Sequence, residues 1–255
     1  MLRNEMKRDL EEGKKVYGTM LQEMVSPTAA QVFKRAGFDF FMVDCEHSPY
    51  DQGSVREILR VARLEEICPL VRIRNLDYSL AAGYLDAGAM GLMLPRVEKV
   101  TDTETLVSFM KYPPEGIRGL SGDAPHSDYR FGDLAEFIEI KNQDTVAIAQ
   151  IERKVAIENL EEILSVTGID VALVGPEDLS LSYGVPGQTS HPTVVNAIQK
   201  VIDISVKLGV APGIHLGNIE KLTEWKEKGM QVIMYNSDLG FLLEGAKEGI
   251  KALKN

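Results

Sequence analysis

The chain has 255 residues, 44% hydrophobic and 26% charged, a globular balance that excludes disordered, collagen-like and low-complexity classes. Its 38 acidic residues against 28 basic ones give a net charge of −10, so long-range attraction to nucleic-acid phosphates does not drive the function. No apolar run approaches the roughly 18–20 residues that span a bilayer. The start, Met1-Leu2-Arg3-Asn4-Glu5, is charged rather than signal-like. Cys45 and Cys68 are too few for a secreted disulfide framework or a four-cysteine zinc site, which points to the reducing cytoplasm.

Along the chain, short apolar runs alternate with longer amphipathic stretches. The runs 17–23, 38–45, 69–74, 91–97, 145–151, 171–175, 211–216 and 232–236 are predicted strands. Their apolarity is continuous, as expected of parallel strands buried on both faces. Between them lie helical stretches such as 53–64, 155–166 and 192–208. Gly37, Gly88, Gly168, Gly209 and Gly229 each stand just before a strand, where glycine ends a helix in the left-handed conformation. Strand and helix alternating eight times in a chain of about 250 residues predict an α/β fold, a single (β/α)8 TIM barrel. One domain over residues 1–255, without a linker, is expected. Neither G-x-G-x-x-G nor a P-loop motif occurs, which weighs against an open dinucleotide or nucleotide fold. The longest irregular region, 112 to about 131, is expected to be functional or an interface element. Segment 221–228 reads as a charged, solvated helical face.

In such a barrel the chemistry sits at the C-terminal ends of the strands. Strand two ends Val43-Asp44-Cys45-Glu46-His47, strand three ends in Arg72 and Arg74, strand five ends Gln150-Ile151-Glu152, and strand six ends Gly175-Pro176-Glu177-Asp178. Carboxylates crowded on one rim cannot all stay ionised without compensation, and a divalent cation supplies it. Glu152 and Asp178 are the best ligand pair, because neighbouring parallel strands run about 4.8 Å apart. Oxygen ligands with the remaining positions left to water suit Mg²⁺ or Mn²⁺. The competing reading pairs Glu152 with Arg153 or Lys154 and makes Asp178 a helix cap. His47 follows two carboxylates within three residues and is the candidate base; alternatively it is a strand-end histidine bonded into the fold. Arg72 either stabilises a developing enolate or forms an ion pair at the rim of the core. His215 ends strand seven, where its ring either donates a hydrogen bond to a hydroxyl or carboxylate on the aldehyde or is satisfied by a neighbouring loop. His126 reads as loop surface and His191 as a helix start.

The ordered set Asp44-Cys45-Glu46-His47, Arg72, Tyr112-Pro113-Pro114-Glu115-Gly116-Ile117-Arg118-Gly119, Gln150-Ile151-Glu152 and Gly175-Pro176-Glu177-Asp178-Leu179-Ser180 resembles the HpcH/HpaI family of metal-dependent pyruvate aldolases. The likeness runs over nearly the whole chain. It implies a class II aldehyde-lyase that binds Mg²⁺, Mn²⁺ or Co²⁺ and reversibly cleaves 4-hydroxy-2-oxo acids to pyruvate and an aldehyde. The metal stands in for a Schiff-base lysine as electron sink. Residue by residue, the resemblance implies Glu152 and Asp178 as metal ligands and Gln150 as a pyruvate-side contact. The backbone amides of Glu177 and Asp178 match the positions that hold the substrate carboxylate. Arg72 matches the enolate-stabilising arginine, His47 the base, and Asp86 an aspartate that raises the histidine's basicity. The family also implies a homohexamer with C-terminal helices exchanged between subunits.

Three departures lie toward the aldehyde end and leave the acceptor open. Met20 stands where a tryptophan is expected, the loop after Arg118-Gly119 lacks an R-A-[SN] triplet, and His215 replaces an often apolar residue. Two other functions remain open: a CoA-thioester lyase of the citrate-lyase β-subunit type, which calls for a basic surface, and a non-catalytic oxo-acid-binding barrel, which has no need of a base.

Overall fold

In the computed structural model, which describes residues 3–129 and 132–254, the strands close in sequence order into a parallel eight-stranded barrel. They are β1 (Val16–Leu21), β2 (Phe40–Asp44), β3 (Cys68–Arg72), β4 (Gly91–Leu94), β5 (Val146–Ile151), β6 (Val171–Val174), β7 (Ala211–Leu216) and β8 (Val232–Ser237). Each lies on a predicted run, with ends moved by a few residues. The first helices are α1 (Glu5–Glu11), α2 (Thr28–Ala36), α3 (Gln52–Leu64), α4 (Tyr78–Asp86), α5 (Val100–Met110) and α6 (Leu134–Asp144). They are followed by α7 (Lys154–Glu158), α8 (Leu160–Leu164), α9 (Pro176–Ser182), α10 (Pro192–Leu208), α11 (Ile219–Glu227) and α12 (Asp238–Lys254). All five glycines expected to stop helices have positive φ, from 72° to 116°.

The stretch 155–166, expected to be one helix, is two. Asn159 breaks it at φ −95°, ψ 12°, and its side-chain amide donates to Glu98 O at 2.9 Å. The segment 221–228 is the solvated face of α11, anchored underneath by buried Leu222 and Trp225. His191 caps α10, its Nδ1 accepting from Thr193 N. Among the described residues no helix is long and apolar enough to cross a membrane. Cys45 and Cys68 are buried free thiols.

Two apolar layers explain why the strands read as unbroken apolar runs. Alternate residues face the barrel interior, where Met20, Phe40, Met42, Leu70, Ile148 and Met234 pack together and Met6 of α1 plugs the N-terminal end. The intervening residues, among them Phe41, Val43 and Val71, face outward against Ile58 and other helix residues. The inward alternation, followed toward the strand ends, turns polar: Asp44 follows Met42, Arg72 follows Leu70, and Gln150 follows Ile148.

The irregular segment after α5 lies at the N-terminal end of the barrel, and its expected end at Phe131 lies outside the described residues. His126, expected on the loop surface, is instead 3% exposed. Its ring packs edge-on against Phe137 and lies 3.4 Å from the Tyr112 hydroxyl and 3.3 Å from Asp86 O. The sequence could not show this, because the burial comes from α4 and α6 folding over the loop. Arg118 sits on the Tyr112 ring and pairs with Asp86 at 2.7 Å.

Burial, with Arg118, Lys141 and Arg63 nearby, lowers the His126 pKa from 6.5 to about 3. A histidine held neutral in this way contributes stability that is complete above 6.5 and is lost as pH falls toward 3. Wild type should therefore lose up to about 1.4 kcal/mol per pH unit below 6.5 on this account. His126→Gln should show a shallower decline. Urea unfolding of both proteins at pH 7 and pH 5 measures the difference, and parallel declines would contradict it.

Candidate active site

Asp44 and Arg72 are register partners on β2 and β3, so their inward side chains meet at the C-terminal mouth. Arg72 Nε donates to Asp44 Oδ1 at 2.8 Å and Nη2 to Oδ2 at 2.6 Å, a two-pronged, fully buried pair. Burial alone would raise the Asp44 pKa, but the hydrogen bonds and charge of Arg72 outweigh it and hold the carboxyl below its usual range. The remaining prong, Nη1, lies 3.5 Å from Gln150 Oε1 and 3.4 Å from Glu46 Oε2. Asp44 Oδ1 also accepts the backbone N–H groups of Glu46 and His47, at 3.0 and 3.2 Å. The ion pair thus sets the course of the loop that carries both residues.

His47 leans out of this loop. Its side chain is 65% exposed, with Nε2 at 3.5 Å from Glu46 Oε2. Burial raises the Glu46 pKa, while Arg72 and His47 oppose the rise. Across the mouth, Glu152 continues the inward alternation of β5 after Gln150. Its Oε1 accepts Arg96 N at 2.8 Å and its Oε2 accepts the Gln150 amide. The readings that pair Glu152 with Arg153 or Lys154 do not hold: Arg153 binds Glu98 at 2.6 Å and Lys154 lies near Glu158. Burial pushes the Glu152 pKa up to about 7 against the Arg96 N–H, and Asp178 and Glu46 add to the rise.

Asp178 lies in the first turn of α9, whose N-cap is Gly175 rather than Asp178. The first N–H of this turn bonded within the helix is that of Leu179, to Gly175 O. The N–H groups of Glu177 and Asp178 are left facing the helix entrance, the arrangement that receives anions. Gly175 must remain small, since an added Cβ would come within 2.9 Å of Glu152 Oε2 and 3.1 Å of Gln150 Nε2. Glu46, His47, Arg96, Glu152, Arg153 and Asp178 line a cleft of about 340 Å³.

Among the described residues, no three His, Cys, Asp or Glu side chains form a ready-made metal cage. Glu152 and Asp178 are a pair of hard oxygen donors, and the Glu152 pKa is raised chiefly by burial, with Asp178 and Glu46 adding to the rise. Both features fit a divalent cation that takes its other ligands from water and substrate.

His215 faces inward on β7 and its Nε2 lies 2.9 Å from Asn236 O, so that nitrogen carries the proton and Nδ1 can only accept. Burial lowers its pKa, opposed by this hydrogen bond, and because Asn236 O takes up that N–H the expected donation from it to the aldehyde does not hold. Asp86 is not brought to His47 within the chain. It ends α4 at the opposite, N-terminal end of the barrel, and lines a second cleft of about 450 Å³ beside Arg56 and Ser121. The sequence reading set Asp44 beside His47, whereas the structure pairs it with Arg72, and one residue of the mouth escaped that reading. Arg96 follows β4 with φ +54° and gave no local signal.

The family model described as HpcH/HpaI aldolase/citrate lyase matches residues 20–244. The chain is 36% identical over 211 residues to the pyruvate aldolase of Rhizobium etli, covering 83% of this chain and 82% of that one. It is 32% identical to the hydroxypyruvate/pyruvate aldolase of Roseobacter denitrificans, covering 96% and 94%. The crystal structure of an HpcH/HpaI aldolase from Desulfitobacterium hafniense superposes with a TM-score of 0.95 at 34% identity, covering 98% of this chain and 96% of that one.

Removing one partner of a buried ion pair strands the other. Asp44→Ala should cost about 3–5 kcal/mol of folding stability. Urea unfolding at pH 7 measures it, and a loss under about 1 kcal/mol, the range of an exposed pair, would show that Arg72 does not depend on Asp44.

Proposed function

We propose, for a chain that belongs to the HpcH/HpaI aldolase/citrate lyase family, a divalent-metal-dependent aldolase that reversibly cleaves 4-hydroxy-2-oxo acids to pyruvate and an aldehyde. The observation that carries this reading is the convergence of Arg72, Gln150, Glu152 and the Glu46-His47 loop on one mouth that Asp178 also lines. Glu152 and Asp178 would hold Mg²⁺, Mn²⁺ or Co²⁺, and such an ion supplies a Lewis acid for a chelated 2-oxo acid.

The chain's own groups divide the remaining work. The free N–H groups of Glu177 and Asp178 bind the substrate carboxylate, and Gln150 orients the pyruvate portion. His47, exposed at the mouth, accepts the proton of the 4-hydroxyl. As the C3–C4 bond breaks, its electron pair moves toward C2, and the aldehyde departs. The spare Nη1 of Arg72 faces the enolate oxygen that results, fixed in place beforehand by Asp44. A proton from solvent at C3 completes pyruvate, and His47 returns the proton it accepted to solvent. The Nδ1 of His215 remains to accept a hydrogen bond from a hydroxyl on the aldehyde portion. Asp86, remote from its own His47, would raise the basicity of a histidine belonging to another copy, which ties that role to the oligomer.

The test is a retro-aldol screen of 4-hydroxy-2-oxo acids with varied tails, coupled to pyruvate detection, with each of the three metals. Pyruvate release should require metal, and Glu152→Ala and Asp178→Ala should each abolish both turnover and the metal-dependent rise in Tm. Undiminished metal-dependent stabilisation in both variants would remove them as ligands.

We also propose a homohexamer in which α12 is exchanged between subunits. Beyond Asp238 this helix leaves Leu239, Leu242, Leu243, Ile250 and Leu253 more than half exposed, an apolar surface suited to a subunit contact. Light scattering should give a hexamer mass for wild type and a smaller one for the double variant Leu242→Glu, Leu253→Glu. An unchanged mass would place the subunit contacts elsewhere.

A further inference from the structure

We infer that Arg96 selects the aldehyde, favouring one whose tail carries an anionic group: a carboxylate, a sulfonate or a phosphate. The inference rests on the aldolase reading above. Arg96 stands in the left-handed region, φ +54°, where glycine or asparagine would fit with less steric conflict. Its backbone N–H is tied to Glu152 Oε1 at 2.8 Å, so the residue is fixed beside a carboxylate of the mouth. From that point the side chain lines the cleft bounded by Glu46, His47, Glu152 and Asp178.

The other arginines near the mouth are already engaged, Arg74 by the carbonyls of Cys45 and Tyr50 at 2.6 and 3.1 Å. Arg72 is paired with Asp44 at 2.6 Å, and Arg153 with Glu98 at 2.6 Å. Among the described residues the Arg96 guanidinium has neither a hydrogen bond nor an ion pair. Glu46 feels its charge but lies against Arg72 Nη1 at 3.4 Å and His47 at 3.5 Å. Leu181 is the one apolar side chain on the described lining. An alkyl tail entering this cleft gains little contact, whereas an anionic tail meets a free planar guanidinium suited to two-pronged binding of carboxylate, sulfonate or phosphate.

The experiment measures aldol addition of paired acceptors to pyruvate by metal-loaded enzyme: 4-oxobutanoate against butanal, and glyceraldehyde 3-phosphate against glyceraldehyde. The two pairs separate a carboxylate preference from a phosphate preference. Wild type should prefer the anionic member of at least one pair. Arg96→Asn, which tolerates the left-handed backbone, should reduce that ratio of kcat/KM about ten-fold, chiefly through KM, and Arg96→Lys should restore part of it. Raising ionic strength should lower the ratio in wild type and not in Arg96→Asn. A ratio unchanged by Arg96→Asn in both pairs overturns the assignment. Exchange of the pyruvate methyl protons in D₂O by wild type tells the two failures apart. Without exchange, the aldolase reading fails and this inference with it; with exchange and an unchanged ratio, only the role of Arg96 is lost.

Discussion

A buried arginine can serve a reaction only if something else holds it still, and here Asp44 does so. Two prongs of the Arg72 guanidinium are fixed on one carboxylate, which leaves a single edge, Nη1, facing Gln150 and Glu46. The carboxylate that fixes Arg72 also accepts the N–H groups of Glu46 and His47. One buried ion pair therefore sets both the cation at the floor of the mouth and the loop that carries the proposed base. Such a pair contributes little net stability, because desolvation offsets most of its attraction. Its value lies in geometry: a planar fork held on two bonds has one orientation.

This dependence also explains how much of the molecule could be read beforehand. The strands were legible because both faces of most are buried, so nearly all their residues are apolar until the alternation reaches the mouth, Tyr17 and Thr19 of β1 being exceptions. There Asp44, Arg72, Gln150 and Glu152 interrupt apolar runs at inward positions, and that interruption is visible in the letters. The glycine stops were legible for a local reason, since positive φ is a property of single residues. What depends on distant segments was not. The break at Asn159 reflects a bond to Glu98 O, sixty residues away in the chain. The burial of His126 reflects Phe137 and Tyr112 closing around it. Arg96 is a charged residue in a loop until its amide is seen bound to Glu152.

The two ends of the barrel both bury ionisable groups, and the contrast between them locates the chemistry. At the N-terminal end most of these groups have partners within the chain, although Arg118 Nε has none and burial lowers the pKa of Lys111 and Lys141 to about 8. Arg63 pairs with Asp128 at 2.5 Å, Arg118 with Asp86 at 2.7 Å, and Lys111 donates to the carbonyls of Asn142 and Thr145. Pairs of this kind hold the loop in place. At the C-terminal end the matching is incomplete. Asp44 takes up Arg72, whose Nη1 also lies 3.4 Å from Glu46, and Glu98 takes up Arg153; among the described residues Glu152 and Asp178 have no ion pair, and Arg96 is a nearby cation without one.

Burying a carboxylate here is costly, and the Glu152 pKa rises to about 7 chiefly for that reason, with Asp178 and Glu46 adding to it. A protein selected for stability alone could remove it by replacing one carboxylate with an amide. Gly175 points the other way. Its missing side chain makes room for the Glu152 carboxylate and the Gln150 amide, which an alanine would crowd at 2.9 and 3.1 Å. Backbone and neighbours are thus shaped to keep a carboxylate where its charge is unfavourable. Retaining an unfavourable charge makes physical sense where a ligand completes the set, and a divalent cation with an oxo acid is the completion that these donors, together with the open N–H groups at the start of α9, best accommodate.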